Sequence, residues 1–193
     1  ETLYLWTVTK PAKRLLGIAA NRQKNLIMKK TPLFLIREIL PNEYHLLEEF
    51  LYEAIFIPEG VERPGKEVIL RPELAVYYKD FGKDSDYCLM AESEGKPVGA
   101  VWIRLFPECG KGYGFVDIRT PEVCMSVLPS YRNKGIGTAL LNTMLGNLVR
   151  RGFHQVSLSV DEENYAFRMY GKAGFETVST DGISATMIKK LVS

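Results

Sequence analysis

Two glycines, Gly135 and Gly137, stand where a predicted strand gives way to a predicted helix. Because they carry no side chain, a ligand can come close to the backbone at the start of that helix. The first N–H groups of a helix have no partner within it, and the helix dipole makes this end positive. A pyrophosphate fits both features, and Arg132 and Lys134 add positive charge nearby. The spacing therefore predicts a site for a phosphorylated ligand.

Other phosphate-binding motifs fit these residues less well. A P-loop needs Gly-Lys followed by Ser or Thr, whereas Gly137 is followed by Thr138 and Ala139. A dinucleotide-binding fingerprint needs a third glycine where Leu140 stands. A tight strand-to-helix turn without a ligand also uses glycines, so the pair alone leaves that alternative open.

The hydrophobic pattern predicts the elements that position this turn. A strand is predicted over 122–128, and a helix begins near Gly135 and ends at Gly152. The buried face of that helix comprises Leu140, Leu141, Met144, Leu145, Leu148 and Val149. Further strands are predicted over 33–38, 87–92, 98–104, 154–160, 175–178 and 185–191, and further helices over 41–52, 72–81 and 164–173. This order predicts a mixed α/β sheet with antiparallel beginnings and one parallel crossover.

The composition of the 193-residue chain is typical of one soluble globular domain, with 46% hydrophobic and 25% charged residues. The net charge is +2, and nucleic acid is not predicted as a partner because the sequence indicates no clustered basic face. Three scattered cysteines, Cys88, Cys109 and Cys124, indicate a reduced, cytoplasmic protein. With two histidines in the chain, no ligand set for a metal is predicted, and no apolar run predicts a membrane span.

Residues 1–27 differ from the rest of the chain and are treated as a basic N-terminal extension. The stretch 15–20 follows three basic residues and has the outline of a signal peptide, but its apolar core is short. Two other interpretations stay open: residues upstream of a natural start at Met28, or a basic helical arm. The main domain is predicted to occupy residues 28–193.

Two segments together resemble the GNAT superfamily of acetyl-CoA-dependent N-acetyltransferases. The first is Arg-x-x-Gly-x-Gly at 132–137, which follows a strand ending Val-Leu-Pro and precedes Thr-Ala-Leu-Leu. The second is NYAFRMYGKAGF at 164–175, in which Ala166 lies one position early and Met169 replaces the usual leucine. The resemblance implies the GNAT fold: a mixed, mostly antiparallel sheet of about six to seven strands, splayed in the middle, with helices on both faces.

The resemblance also implies acetyl-CoA as co-substrate and places its binding groups. In this family the pantetheine arm enters the gap between the splayed strands, and the diphosphate lies on the N–H groups that open the helix. Asn164 resembles the family asparagine that holds the pantetheine end, although an asparagine there also fits a plain helix cap. The cofactor-binding residues implied are Met125, Ser126, Val127, Arg132, Asn133, Lys134, Gly135, Ile136, Gly137, Thr138 and Asn164.

Catalytic roles follow from the same resemblance. Tyr170 stands where the family places a tyrosine near the thioester sulfur, so it is the candidate general acid, with core packing as the alternative. Glu122 is the candidate general base and Asp117 an alternative, although both could be solvated surface carboxylates. A backbone N–H near Met125 is the candidate oxyanion donor. Cys124 is predicted to be a core residue, because no histidine is placed to activate it.

These assignments predict an N-acetyltransferase in which a primary amine attacks acetyl-CoA directly. A small-molecule amine is slightly favoured over a protein as acceptor, and the segments 58–66, 72–81 and 106–119 are predicted to face it. Tyr77 and Tyr113 in these segments either line a pocket or pack. Two alternatives stay open: a binding-only acyl-CoA sensor, and a transferase for longer acyl chains. Dimers are common in the family, and the sequence leaves the assembly open.

Overall fold

The strands of the computed structural model, which describes residues 34–191, form a single sheet. They are β1 (Leu35–Glu38), β2 (Tyr87–Ser93), β3 (Lys96–Arg104), β4 (Glu122–Val127), β5 (Gln155–Asp161), β6 (Glu176–Asp181) and β7 (Ser184–Lys190). Their order is β1-β2-β3-β4-β5-β7-β6. Neighbouring strands are antiparallel except β4 and β5, which are parallel. The predicted mixed, mostly antiparallel sheet is confirmed, while the predictions on residues 1–27 lie outside the described residues.

Within residues 34–191 the α-helices are α1 (Leu46–Ala54), α2 (Pro72–Ala75), α3 (Ile136–Arg150) and α4 (Tyr165–Lys172). The best-marked helix of the sequence, α3, begins directly after Gly135 as predicted. It is closed by Gly152, whose φ of 81° is the left-handed conformation that ends many helices.

The helix predicted to open at Pro41 begins later than expected. Pro41 starts a 3-10 turn, Pro41–Glu43, and α1 follows from Leu46. Arg37 on β1 holds this turn, because its guanidinium pairs with the Glu43 carboxylate at 2.7 Å. The same carboxylate accepts the Leu40 N–H at 2.9 Å. Glu43 is thus committed to β1 and the turn instead of starting a regular helix.

The regular helix predicted over 72–81 is wrong beyond α2, since the chain continues as turns to Asp80. The reason is Arg104 on β3, which donates to the carbonyls of Val76, Lys79 and Asp80 at 2.6 to 3.1 Å. Its guanidinium also pairs with Asp86, and the two side chains are 5% and 1% exposed. A buried arginine needs an acceptor for each N–H group, so it draws these carbonyls towards the sheet.

Helices cover both faces of the sheet, as predicted. On one face α3 buries five of its predicted core side chains, and Val149 is partly buried against them. On the other face Leu47, Phe50 and Leu51 of α1 pack with the fully buried Trp102 of β3. Because β4 lies between these two layers, its side chains alternate between them and its two edges remain for backbone pairing.

The sheet is splayed between β4 and β5, which confirms the predicted opening. These strands share one register position, Glu122 opposite Ser157, and then diverge. At the join the Ser157 N–H donates to the Pro121 carbonyl at 3.0 Å. On its other edge β4 pairs with β3 along its whole length. The gap therefore opens from Glu122 towards the turn that precedes α3.

Candidate active site

The turn before α3 is built from left-handed residues. Asn133 has a φ of 59° and Gly135 a φ of 80°, and Gly135 is the N-cap of α3 without a side-chain cap. The first bond inside the helix runs from the Ala139 N–H to the Gly135 carbonyl at 3.0 Å. The N–H groups of residues 136–138 therefore have no partner in the helix. A Cβ at Gly135 would meet no atom of the described chain within 4 Å, so the space beside these donors is open.

The two cations of the turn have different contacts. The Arg132 Nε donates to the Val127 carbonyl at 2.8 Å, and its Nη2 pairs with the Glu53 carboxylate at 3.1 Å. Arg132 thus ties the turn to the end of β4 and to α1. The exposed Lys134 ammonium donates to the Ser130 carbonyl at 2.9 Å. Both side chains contribute positive potential to the start of α3, and Arg132 also fixes its position.

The β4 backbone directs polar groups into the gap at alternate residues. The Leu128 N–H donates to the carbonyl of Val98 on β3 at 2.9 Å. In an antiparallel pair the backbone groups of successive residues point to opposite edges. Counting back from Leu128, the N–H and C=O groups of Met125 and Val127 point towards β5 and hence into the gap. The Val127 carbonyl is held by Arg132, so Met125 and the Val127 N–H are the groups left for a ligand.

Two other predicted cofactor residues have structural contacts. The Ser126 backbone is paired with Ala100 on β3, and its Oγ donates to the Phe50 carbonyl of α1 at 2.6 Å. Ser126 therefore joins β4 to α1 instead of facing the gap. Asn164 is the N-cap of α4, where its Oδ1 accepts the Ala166 N–H at 2.9 Å. The side-chain amide nitrogen of Asn164 is the part of this residue that can reach a ligand.

Tyr170 lies on α4 in the core layer that α3 covers. The residue is 7% exposed, and its ring meets Phe175 edge to face, with the centroids 5.7 Å apart. Burial raises the pKa of the Tyr170 phenol, and the Cys124 thiol acts in the same direction. The neighbouring Met169 sulfur lies 3.8 Å from the position that a Cβ would take at Gly137. Tyr170 is thus a protonated phenol on a helix that borders the start of α3.

Glu122 is a buried acid at the point where β4 and β5 part. Its residue is 4% exposed, and its Oε1 accepts the Tyr77 hydroxyl at 2.5 Å and the Gly114 N–H at 2.9 Å. Its Oε2 has no hydrogen-bond partner in the described chain. Burial raises the pKa of Glu122 to about 7, although its two hydrogen bonds oppose the rise. The carboxyl is therefore divided between its acid and base forms near neutral pH.

Asp117 and Cys124 differ from Glu122 in their surroundings. The Asp117 carboxylate accepts the N–H groups of Arg119 and Thr120 at 2.8 and 2.9 Å, and the first of these bonds is the main reason for its lowered pKa. Asp117 thus serves as a turn cap and makes a poor base. Cys124, predicted to be a core residue, is partly buried against the core layer of α1, and burial raises the pKa of its thiol and keeps it protonated.

The contact between Tyr77 and Glu122 was not predicted from the sequence, where Tyr77 was expected to lie in a segment that faces the acceptor. The two residues are 45 positions apart, so no local pattern joins them. The available signal was the spacing of Gly112 and Gly114, because glycines mark close approaches of the chain. A Cβ at Gly112 would overlap Glu122 Oε2. A Cβ at Gly114 would lie 2.5 Å from the Leu158 carbonyl carbon on β5.

An elongated co-substrate with a phosphorylated end matches the gap between β4 and β5 and the open start of α3. The fold and the site thus define a mixed α/β domain with an open sheet and a helix start that can receive a phosphorylated ligand. The sequence comparison narrows this class, because the model of the Acetyltransferase (GNAT) family matches residues 47–175, more than half of the chain. The chain belongs to the GNAT acetyltransferase family.

Individual relatives of the chain are also acetyltransferases. The chain is 37% identical over 100 residues to a mycothiol acetyltransferase of Saccharomonospora viridis, covering 51% of this chain and 32% of that protein. It is 30% identical over 119 residues to an acetyltransferase of Pectobacterium atrosepticum, covering 61% of this chain and 77% of that protein. The chain thus spans about a third of the first relative's length. In fold it resembles YncA of Salmonella typhimurium, with a TM-score of 0.61 at 18% identity over 83% of this chain and 95% of that one.

Two further observations concern residues 34–191. No three His, Cys, Asp or Glu side chains in this part of the chain are grouped so that they could hold a metal ion. None of its helices has the length and apolar character needed to cross a membrane.

Proposed function

We propose that this chain transfers the acetyl group of acetyl-CoA to a primary amine by direct attack. The observation that carries the proposal is the buried Glu122 carboxyl, which lies at the apex of the splayed strands with a pKa of about 7. An amine must lose a proton to attack, and a base whose pKa lies near the working pH suits that transfer. A binding-only sensor gains nothing from such a group, whose burial costs free energy.

The donors of this chain fit coenzyme A. The diphosphate is assigned to the N–H groups of residues 136–138, and the open space beside Gly135 supports this assignment. The pantetheine arm is assigned to the gap, where Met125 and the Val127 N–H supply backbone partners. Bound acetyl-CoA supplies the thioester that the amine attacks. The structural relative YncA was solved with acetyl-CoA, which supports the choice of co-substrate.

Three groups of the chain serve the proposed reaction. Glu122 takes the proton of the amine nitrogen as that nitrogen attacks the thioester carbon. The Met125 N–H, directed into the gap, donates to the oxygen on which negative charge develops. The Tyr170 hydroxyl gives its proton to the departing sulfur, and its raised pKa keeps that proton in place until then. The products are an acetylated amine and free coenzyme A, and both side chains exchange protons with solvent afterwards.

The test is an assay of thiol release from acetyl-CoA with a mixed amine library in which small molecules are tried before peptides. We expect release that depends on an amine, and a fall in kcat/KM of about a hundredfold or more at pH 7.5 in Glu122→Gln. Asp117→Asn is the matched comparison, because it removes the competing carboxylate. A larger loss in Asp117→Asn than in Glu122→Gln would assign the base to Asp117. Binding of acetyl-CoA without turnover across the library would contradict the proposed function.

A further inference from the structure

Tyr77 lies in the turns that follow α2, and both its backbone and its ring are held by neighbouring residues. Its backbone carbonyl accepts the Trp102 Nε1–H at 3.0 Å. Its ring meets Phe106 edge to face at a centroid distance of 5.3 Å and stacks on Tyr113 at 6.5 Å. The residue is 6% exposed, and burial, followed by the charge of Glu122, raises the pKa of its phenol. Tyr77 therefore keeps its proton and presents it in one direction.

The Tyr77 hydroxyl stands in the middle of a short hydrogen-bond chain. It accepts the Tyr113 N–H at 2.6 Å and donates to Glu122 Oε1 at 2.5 Å. Because a phenol has one proton, accepting from Tyr113 leaves that proton for the carboxylate. The Gly114 N–H donates to the same oxygen at 2.9 Å. The connector between β3 and β4 thus binds Glu122 twice, once directly and once through Tyr77.

These bonds make the two carboxylate oxygens of Glu122 unequal. Oε1 accepts both hydrogen bonds, whereas Oε2 has no partner in the described chain and lies against Gly112, where a Cβ would overlap it. An oxygen that already accepts two hydrogen bonds is the poorer site for a further proton. The oxygen left to accept a proton is Oε2, which is buried against Gly112 at a place where any larger residue would overlap it.

We propose that Tyr77 is a positioning residue of the acetyl transfer, which engages Glu122 Oε1 and thereby holds Oε2 as the atom that accepts the amine proton. This inference rests on the proposed function, since it assigns an orientation to the base named there. It adds a residue from a segment outside both sequence motifs. It also assigns a role to the connector between β3 and β4, whose Tyr113 N–H holds the Tyr77 hydroxyl in place.

The electrostatic effect of Tyr77 on Glu122 has a definite sign. A hydrogen bond donated to an ionised carboxylate favours the ionised form, so it lowers the pKa that burial raises. The other groups around Glu122 act less directly. Arg104, which lies opposite Glu122 on β3, is bonded to Asp86 and to backbone carbonyls. On β4 and β5 the nearest side chains on its face are the Cys124 thiol, which burial keeps protonated, and the hydroxyl of Ser157 opposite Glu122, and neither carries a charge. Loss of the Tyr77 hydroxyl therefore raises the pKa of Glu122.

The experiment follows the titration of Glu122 in the whole protein by NMR of carboxyl carbons labelled with ¹³C in glutamate, with the signal assigned by its loss in Glu122→Gln. In Tyr77→Phe, which keeps the ring, we expect the midpoint to rise by about one pH unit. Tyr87→Phe is the matched control, because the Tyr87 hydroxyl donates to Glu38 at 2.8 Å on the opposite core layer. We expect the Glu122 midpoint of this control to stay at the wild-type value.

Kinetics with the best amine of the library supply the second readout. For a midpoint that moves from 7 to 8, kcat/KM falls about eightfold at pH 6.5 and changes by less than about twofold at pH 9. If Tyr77→Phe does not fold, 3-fluorotyrosine at position 77 keeps the fold and strengthens the donor, so the midpoint should then fall. An unmoved midpoint in the folded variant would overturn the positioning role. If instead Glu122→Gln keeps full activity, the base assignment fails and the positioning role fails with it, even where the shifted midpoint shows the hydrogen bond between Tyr77 and Glu122.

Discussion

Replacement of Gly135 by alanine separates the two properties of the turn before α3. Gly135 and Gly152 flank the same helix with φ values of 80° and 81°, and a Cβ at either position would meet no atom of the described chain within 4 Å. Alanine in the left-handed conformation costs about 1 to 2 kcal/mol. Both variants should therefore lose the same stability, which corresponds to a Tm lower by about 3 to 6 °C for a chain of this size.

Coenzyme A affinity should distinguish the two variants. The Gly135→Ala methyl group enters the space beside the N–H groups of residues 136–138, where the diphosphate is assigned. Loss of one charge-assisted hydrogen bond costs about 1.5 to 3 kcal/mol, so Kd should rise about tenfold to a hundredfold. Isothermal titration calorimetry measures this directly, with Gly152→Ala binding like the wild type. Equal affinities in both variants would refute the placement of the diphosphate at α3.

Two more predictions concern buried charge. The raised pKa of Glu122 gives a contribution to stability that is present below about pH 4.5 and lost as the pH rises through about 7. As the pH rises from 5 to 8, the free energy of unfolding of Glu122→Gln in urea should therefore increase by up to about 3 kcal/mol relative to the wild type. A difference between the two proteins that does not change with pH would contradict the burial of an acid. Asp86→Ala leaves Arg104 buried without its carboxylate and should lower the free energy of unfolding by about 3 to 5 kcal/mol. The exposed pair of Glu108 with Lys111 provides the control, since Glu108→Ala should cost less than about 1 kcal/mol, and equal losses would show that burial does not matter.

The fold could be predicted wherever local pattern decides structure. The strands predicted over 87–92 and 98–104 form the antiparallel pair β2 and β3, and Glu94 and Gly95 between them have positive φ values of 52° and 75°. The apolar period and the flanking glycines were enough for α3. The segment after α2 was predicted wrongly, because a side chain about 25 positions away, Arg104, takes its carbonyls. Such a contact leaves no trace in the periodicity of the segment itself.

The candidate site divides in the same way. The glycine motif marked the start of α3, and Glu122 was named from its place on β4, but nothing in the sequence ranked it above Asp117. The ranking comes from burial and hydrogen bonding, which depend on how the connector between β3 and β4 packs against Glu122. The ion pair of Arg132 with Glu53, 79 positions away, was equally impossible to predict from the sequence. Conformations set by neighbouring residues were predictable, while side-chain partners set by the tertiary fold were not.

The most direct test of this account is a crystal structure of the protein with coenzyme A. We predict that the diphosphate lies within hydrogen-bond distance of the N–H groups of residues 136–138. The pantetheine arm should lie between β4 and β5, bonded to the backbone of Met125, with its sulfur end directed towards Tyr170 and Glu122. A coenzyme A molecule bound elsewhere, or strands β4 and β5 paired along their length with no room for the arm, would contradict the account.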